Sequence, residues 1–510
     1  MAARPSIALA SGRGLLLAAL LLALFRLWLA AFLPMTGDEA YFIVWGQQLA
    51  GGYYDHPPLI GWWLNGLLAA GHAAWWLRLP SVLVPFVLAW GAWWLLRPHG
   101  DSRARFAALL VLLQPADVWN ILITTDTPVV ILCFLSALAY VQACRRPSWH
   151  WPLLAGALLG LAFLGKYFAA LLGFAFAAHL LIVRRDRARW GHLVLLTAAA
   201  LLGPAWNLWW NAEHCWVNIL FNFYNRTSKS GFAWQNPLVF LGSLLYLATP
   251  WLLWALWRAR REWVGLRDDT VRAAVWLGGG PLLFFFAISF VKAVGLHWLL
   301  AFVPMLAVIA AAVLPVATLG RLARWSALFA LLHVVAVIVA MSLPLSLWKG
   351  SSLYPGVVMT VRAPAVAAAL REPLAQCGEG CTLAMEGYSS AAILAYAAER
   401  PVAVFGTGSK YGRQDDFDTD WRSLDGRDFV ILRKEPLEDD AYTPFFDSVE
   451  FSVAEIDGVA FNVVQARGFR YAPYRDRVLK RVREQYYRFP KWLPLRGCVF
   501  TDRYFPEGGS

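Results

Sequence analysis

Three carboxylates and an imidazole lie in one short segment, residues 35–59, directly after the first long apolar run: Asp38-Glu39, and Asp55-His56 within Tyr53-Tyr54-Asp55-His56-Pro57-Pro58-Leu59. Ionisable groups beside a membrane surface are costly and usually have a task. Asp38 and Glu39 read in two ways. They could begin a helix, Asp38 accepting a backbone N–H and Glu39 favoured by the dipole. They could also take a proton from an acceptor hydroxyl, or orient it. Asp55-His56 could be the turn into a helix opened by Pro57-Pro58, a metal-ligand pair, or a partner for phosphate.

Further along, Thr124-Thr125-Asp126-Thr127-Pro128 sits between two apolar runs, where Asp126 is either a helix cap or a second working carboxylate. Lys166, in Leu164-Gly165-Lys166-Tyr167, interrupts a long apolar stretch. It reads as a phosphate-binding cation or as a lysine snorkelling from a span end. His214 lies in the Trp-rich block 204–216 and Arg226 follows it, and Lys292 and His297 share one short turn. All four are candidate donor-binding groups. The bland alternative is an aromatic belt with satisfied interface residues.

These residues need a scaffold, and the composition says which kind. A chain of 510 residues that is 59% hydrophobic and only 15% charged is too apolar for a soluble protein of its size. The net charge of +12 could suggest nucleic acid, but the arginines form short clusters between apolar runs. Such clusters are better explained by membrane topology. Runs of span length number about eleven. They lie near 15–33, 74–96, 105–123, 128–144, 151–164, 168–183, 192–210, 237–257, 271–291, 296–313 and 325–347. The first is read as a retained span because no small-residue cleavage pattern follows it.

The basic clusters at 97–105, 145–146, 184–189, 258–272 and 321–324 fall on alternate loops, on the side of the N-terminus, which the positive-inside rule makes cytoplasmic. Two of them flank 151–183, so two short helices meeting at Lys166 are expected there. The opposite face then receives 36–72, 124–127, the Lys166 turn, 211–236, 292–296 and everything after 351. In a bacterium that face is periplasmic. Tyr41, Val44, Trp45, Gln48 and Leu49 keep helical spacing, so the first outer loop should hold interfacial helices.

After Trp348 the pattern changes. Strands are expected at 382–385, 402–405, 429–432 and 459–466, with a helix at 389–398, giving a small α/β domain outside the membrane. The expected organisation is a membrane domain over 1–348, including the loop 35–73, and an α/β domain over 349–510. Of six cysteines, Cys133 and Cys144 read as small core residues. Cys377 and Cys381 could pair in an oxidising compartment, leaving Cys498 unpaired. The basic, aromatic tail 467–496 reads as a helix resting on anionic headgroups.

Taken together, the Asp-Glu pair after span one, the YYDHPPL stretch, the TTDTP loop, the LGKY turn, the PxWN…EH…W block and the KxxxxHW turn resemble a known group. They look like bacterial polyprenyl-phosphate-sugar-dependent glycosyltransferases of the GT-C superfamily, related to protein O-mannosyltransferases and lipid A aminoarabinose transferases. Tyr411 to Asp416, YGRQDD, extends the resemblance into the C-terminal region. The resemblance implies a polytopic α-helical membrane enzyme in the inner membrane, a sugar donor carried on polyprenyl phosphate, no nucleotide cofactor, and inverting transfer to an envelope glycolipid or a protein. It also implies catalytic roles for Asp38, Glu39 and Asp126, with Asp55 and Asp126 as ligands if a divalent metal is used. Asp55-His56 departs from the family's Glu-Lys pair at that place. His56, Lys166, His214, Arg226, Lys292 and His297 are the candidate phosphate- or substrate-binding groups. The rival readings are a lipid-linked-sugar flippase, which would need a polar path to the cytoplasmic side, and an oligosaccharide ligase relying on outer-face Arg and His.

Overall fold

A computed structural model describes residues 11–146, 148–225, 231–261, 268–407, 412–434, 441–487, 490, 493–494 and 496–506. The chain divides into two compact units. The first comprises 1–33, 71–207 and 229–342, and the second 34–70, 208–228 and 343–510.

The first unit is helical and apolar. Among the described residues, six helices of the chain are long and apolar enough to cross a membrane: Gly12–Phe32, Ala74–His99, Asp126–Arg145, Ala188–Glu213, Asp269–Ser289 and Val316–Ser342. Helices Gln235–Ala248 and Pro250–Arg258 meet at 92° and would add a seventh as one broken span. The chain is thus a multi-pass membrane protein. The expectation of about eleven came from counting apolar runs, and several of those runs fold as shorter pieces. His150–Phe163, Tyr167–Val183 and Pro304–Val313 are apolar but short. Run 105–123 is split at Gln114, where Pro115 starts a new helical turn after Asp101–Leu112.

Helix packing in this unit relies on small residues. Gly156 and Gly160, four apart on helix His150–Phe163, let the backbone of helix Ala188–Ala200 approach closely: a Cβ on Gly156 would sit 2.2 Å from the Leu196 carbonyl oxygen. That contact helps fix the helix leading to Lys166. Arg26, fully buried inside the first apolar helix, is matched by main-chain acceptors. It donates to the carbonyls of Val82 at 3.2 Å, Asp117 at 2.5 Å and Asn120 at 2.9 Å, and also to that of Ser81.

The second unit holds a mixed five-stranded sheet: β1 Thr382–Met385, β2 Ala403–Val404, β3 Phe429–Arg433, β4 Ser448–Ile456 and β5 Val459–Arg467, in the order β2-β1-β3-β5-β4. β1 runs parallel to β2 and β3, while β5 is antiparallel to β3 and β4. Helix Tyr388–Ala398 follows β1. Four strands fall where the sequence predicts them, but β4 does not appear in that reading. Its residues stay mostly exposed, so no apolar run marks it. The Asp457-Gly458 turn, with positive φ at both residues, is the tight hairpin signal that would have found it.

The first outer segment belongs to this unit and forms helices Gly37–Gln47 and Leu59–Leu68. Trp45 stacks on Tyr53 at 4.4 Å, and the Tyr53 hydroxyl donates to the Trp45 carbonyl at 2.8 Å. Cys377 pairs with Cys381. Cys498 is not unpaired: it bonds to Cys215, 283 residues away, inside an aromatic core that includes Trp210, Phe221 and Phe500. Proximity along the chain made Cys377 and Cys381 visible as a pair and left this long-range partner hidden. Cys133 and Cys144 are buried free thiols.

Candidate active site

In the first unit, Asp126 is the first residue of helix Asp126–Arg145 rather than its cap, which is Thr125. Its carboxylate turns instead to Lys166, whose Nζ donates to both oxygens at 2.8 and 2.9 Å. Lys166 sits in extended backbone between two short helices, as the charge pattern requires. Both side chains are nearly buried, 7% exposed for Asp126 and 14% for Lys166. Such a pair persists in apolar surroundings because each charge answers the other.

A small cavity of about 30 Å³ adjoins it, lined by Asp126 and Thr127 with Ser81, Gln114, Asp117 and Asn120 on one part of its wall and by apolar side chains such as Val84, Val130 and Leu247 on the rest. Gln114 is 6% exposed, and its side-chain nitrogen has no hydrogen-bond partner among the described residues. Gln114 and Asp117 escape the sequence reading because they sit inside an expected span. The Gln-Pro break at 114–115 was the signal available.

Lys166 also lies 5.3 Å from the ring of Phe168, which stacks on Trp298 at 5.9 Å, and Lys292 lies 5.9 Å from the Trp298 ring on its own side. Two predicted cations therefore flank one aromatic pair. His297 is exposed beside Trp298, their rings 6.3 Å apart.

In the second unit, the helix that begins at Gly37 is capped by Thr36. Thr36 Oγ1 accepts from the Glu39 amide at 3.5 Å, and Glu39 Oε2 accepts from the Thr36 amide and hydroxyl at 3.2 and 2.9 Å. This is a capping box. The cap is thus Thr36, and Glu39 is the member whose carboxylate is taken up locally. Asp38 is left pointing to the surface. Crowding by surrounding protein raises its pKa above the ordinary value, and the neighbouring charge of Glu39 adds to the shift.

Asp38, Asp55 and Asp415 all act on the phenol of Tyr388: burial raises its pKa first, and the three carboxylates follow in that order. The structure therefore gathers Asp38 and Asp55 with a carboxylate from the C-terminal region. The His56 ring lies 6.3 Å from those of Phe42 and Trp45. His214 is held differently. It stacks on Trp210 at 4.3 Å, a ring nitrogen bonds the Trp210 carbonyl at 2.8 Å, and burial lowers its pKa. Arg226 and Tyr411 lie outside the described residues.

Residues 412–416 tie the C-terminal region to the first outer segment. The Gln414 amide donates to the Tyr41 hydroxyl at 2.8 Å, and its side-chain oxygen accepts from the Tyr54 amide at 2.9 Å. Gly412 is needed for this approach, since a Cβ there would lie 2.4 Å from the Tyr54 hydroxyl. Of the two expected metal ligands, Asp126 is already taken up by an ion pair. Both oxygens of Asp126 are held by Lys166, and among the described residues no three His, Cys, Asp or Glu side chains form a metal-binding group.

Comparison with known proteins finds chains similar to this one. Residues 55–210 match the family described as dolichyl-phosphate-mannose-protein mannosyltransferase. The fold resembles that of ArnT from Cupriavidus metallidurans, at 16% identity over 89% of this chain and 98% of the other, with TM-scores of 0.61 for the apo structure and 0.63 for the one bound to undecaprenyl phosphate. At that identity the likeness to ArnT establishes a shared fold. Among curated proteins it is 28% identical over 276 residues to the lipid A galacturonosyltransferase RgtD of Rhizobium johnstonii, a match spanning 50% of this chain and 56% of that protein.

Proposed function

We propose that this protein is an inverting glycosyltransferase that moves a sugar from a polyprenyl-phosphate donor to an envelope glycolipid of the lipid A type, at the periplasmic face of the inner membrane. The observation that carries this reading is the buried Asp126–Lys166 pair beside a small, partly polar cavity in a largely apolar helical unit. A cation fixed there suits the phosphate of a lipid-borne donor. The donor class is supported by the ArnT structure with undecaprenyl phosphate, and the acceptor class by the name of the Rhizobium relative. The mannosyltransferase family description supports a protein acceptor as second choice. The disulfides of the second unit suit an oxidising periplasm, as do arginine clusters on the alternate loops.

The acceptor oxygen attacks the anomeric carbon from the face opposite the phosphate. As that bond forms, the bond from the anomeric carbon to the phosphate oxygen breaks, and the electron pair leaves with polyprenyl phosphate. Lys166 and Lys292 meet the charge that grows on the leaving oxygen, with Arg226 as a further cation, and this electrostatic contribution is the dominant one. Asp126 holds the Lys166 ammonium in place while a third N–H stays available to phosphate. Asp38 takes the proton of a hydroxyl acceptor, and its raised pKa brings it nearer the range of an effective base. For a phosphate acceptor it orients instead.

The test is transfer of sugar from a synthetic polyprenyl-phosphate donor to purified lipid A by the purified protein. Parent protein should transfer, and Asp38→Asn should lose about 10²- to 10⁴-fold with a hydroxyl acceptor. Undiminished transfer in that variant removes Asp38 from the mechanism. Movement of intact donor across proteoliposomes without transfer would favour the flippase reading instead.

A further inference from the structure

A second and larger cavity, about 410 Å³, lies wholly within the second unit, between helix Gly37–Gln47, helix Tyr388–Ala398 and residues 415–424. Its size falls in the range of small-ligand sites, about 300–1,000 Å³. The chemistry of its wall narrows the ligand. Tyr41 and Tyr388 meet edge to face at 4.9 Å and give it an aromatic side. Asp418 accepts from the Gln414 side-chain amide at 2.8 Å, and the Gln48 amide lies 3.1 Å from both its oxygens. Asp415 has a buried oxygen with no hydrogen-bond partner among the described residues.

Cations reach these acids only from a distance, Arg413 acting on Asp415 and Arg503 on Asp418. Arg400, on the wall, donates to the Cys381 carbonyl at 2.9 Å, while Asp420 is held by Arg422 at 2.8 Å. Among the described residues no Lys or Arg forms an ion pair with Asp415 or Asp418. A phosphate or a uronate would be repelled. A ligand that brings O–H or N–H donors on one side and a C–H face for a tyrosine ring on the other would be held, and those are the features of a sugar ring. The position is informative too, since Tyr388, on the wall, lies in the field of Asp38. Gly37, next to Asp38, packs directly on Ser389, next to Tyr388, so the wall of the cavity adjoins the turn that carries Asp38.

We propose that this cavity is an acceptor subsite that binds a sugar without acidic substituents, adjacent to the position that is glycosylated. The inference rests on the transferase reading above, because that reading makes an acceptor glycan the ligand. It explains why Asp415 is brought by a distant part of the chain to the same helix that carries Asp38.

The test uses the full-length protein in nanodiscs, with methyl β-glucosaminide as probe and methyl β-glucuronide as anionic control, binding being followed by saturation-transfer NMR. The amino sugar should bind and the uronide should not. Asp415→Asn, which removes the charge, and Gln47→Trp, which fills the cavity from its exposed rim, should each weaken binding about tenfold. Each should also raise the KM for lipid A by a similar factor, with kcat in Gln47→Trp near that of the parent. Equal binding of both glycosides, or parent-like affinity and KM in both variants, overturns the subsite. A parent that binds the amino sugar yet transfers nothing from any polyprenyl-phosphate donor overturns the transferase reading while leaving the cavity's chemistry intact, so the two failures are distinguishable.

Discussion

Two sets of buried or half-buried charges, one in each unit, are handled differently. In the first, Lys166 faces Asp126, Arg26 faces four carbonyls, and His99 bonds Asp268 at 3.0 Å. Each of these three groups is answered. In the second, Asp38, Asp415 and Asp418 form no ion pair with a Lys or Arg among the described residues, and the pKa of each is raised. A charge that is answered is held in one state and one place, which suits a fixed electrostatic post for a phosphate. A carboxylate left unanswered can gain and lose a proton near neutral pH, which suits handling a hydroxyl. The molecule separates permanent charge from movable protons, and that separation can be attacked from either side.

The largest effect should come from breaking the answered pair. Lys166→Met leaves the Asp126 carboxylate buried without its partner, at a cost of about 3–5 kcal/mol, and Asp126→Asn strands the ammonium at similar cost. The double variant Asp126→Asn/Lys166→Met should recover most of that stability, since no charge is then stranded, while transfer stays about 10²- to 10³-fold below parent. Thermal unfolding in detergent alongside the transfer assay separates the two. If the double variant regains transfer, the pair is only structural.

Next in size is the cross-link from Cys215 to Cys498. It closes a long loop within the second unit, so Cys215→Ser should destabilise that unit by about 2–4 kcal/mol. Denaturant unfolding followed by tryptophan fluorescence measures it, and the first unit's pair should be untouched. Smaller again is Thr36→Ala, which opens the capping box and should cost about 1 kcal/mol. It also removes one of the donors to the Glu39 carboxylate beside Asp38, the hydroxyl, while the residue-36 amide still donates. A drop in transfer larger than the stability loss would show that the cap serves to place Asp38.

Much of this arrangement is legible in the chain because polar residues in apolar runs are conspicuous. Asp126 and Lys166 stand out against their neighbours, and the alternation of arginine clusters forces a turn at Lys166, where the structure has one. Their pairing was not legible, since nothing local relates residues 40 positions apart. Glu39 shows the converse. Its Thr-x-x-Glu context is a local capping signal that was present in the sequence, and the acidity of the pair drew attention away from it. Asp415 and Asp418 were hidden for a third reason. In a polar segment a carboxylate looks solvated, and only the packing of Gly412 and Gln414 on Tyr54 and Tyr41 shows these two being drawn against the first outer helix.

The smallest predicted effect sharpens the comparison most directly, because it reads the unanswered carboxylates by their protons. Burial raises Asp415 to about 6 and Asp418 to about 7, against an ordinary value near 3.8. Between about pH 4 and 7 the folded unit therefore holds protons that the unfolded chain has released, so its stability is greatest at the acid end and falls as pH rises through that window. His214, kept neutral by burial, acts with the opposite sign, because protonating the unfolded chain below its ordinary value of 6.5 lowers stability as pH falls. Of the two acids, Asp415 should dominate, since Asp418 is partly open to solvent and water eases the cost of its charge. Asp415→Asn should thus flatten the decline in unfolding temperature between pH 5 and 7 more than Asp418→Asn does. With both acids replaced, the decline should be much shallower, since Asp38 and Asp416 still act in the same direction while His214 opposes them. A slope unchanged in the double variant would mean that these carboxylates are already ionised at pH 5, and the contrast between fixed charge in one unit and movable protons in the other would be lost.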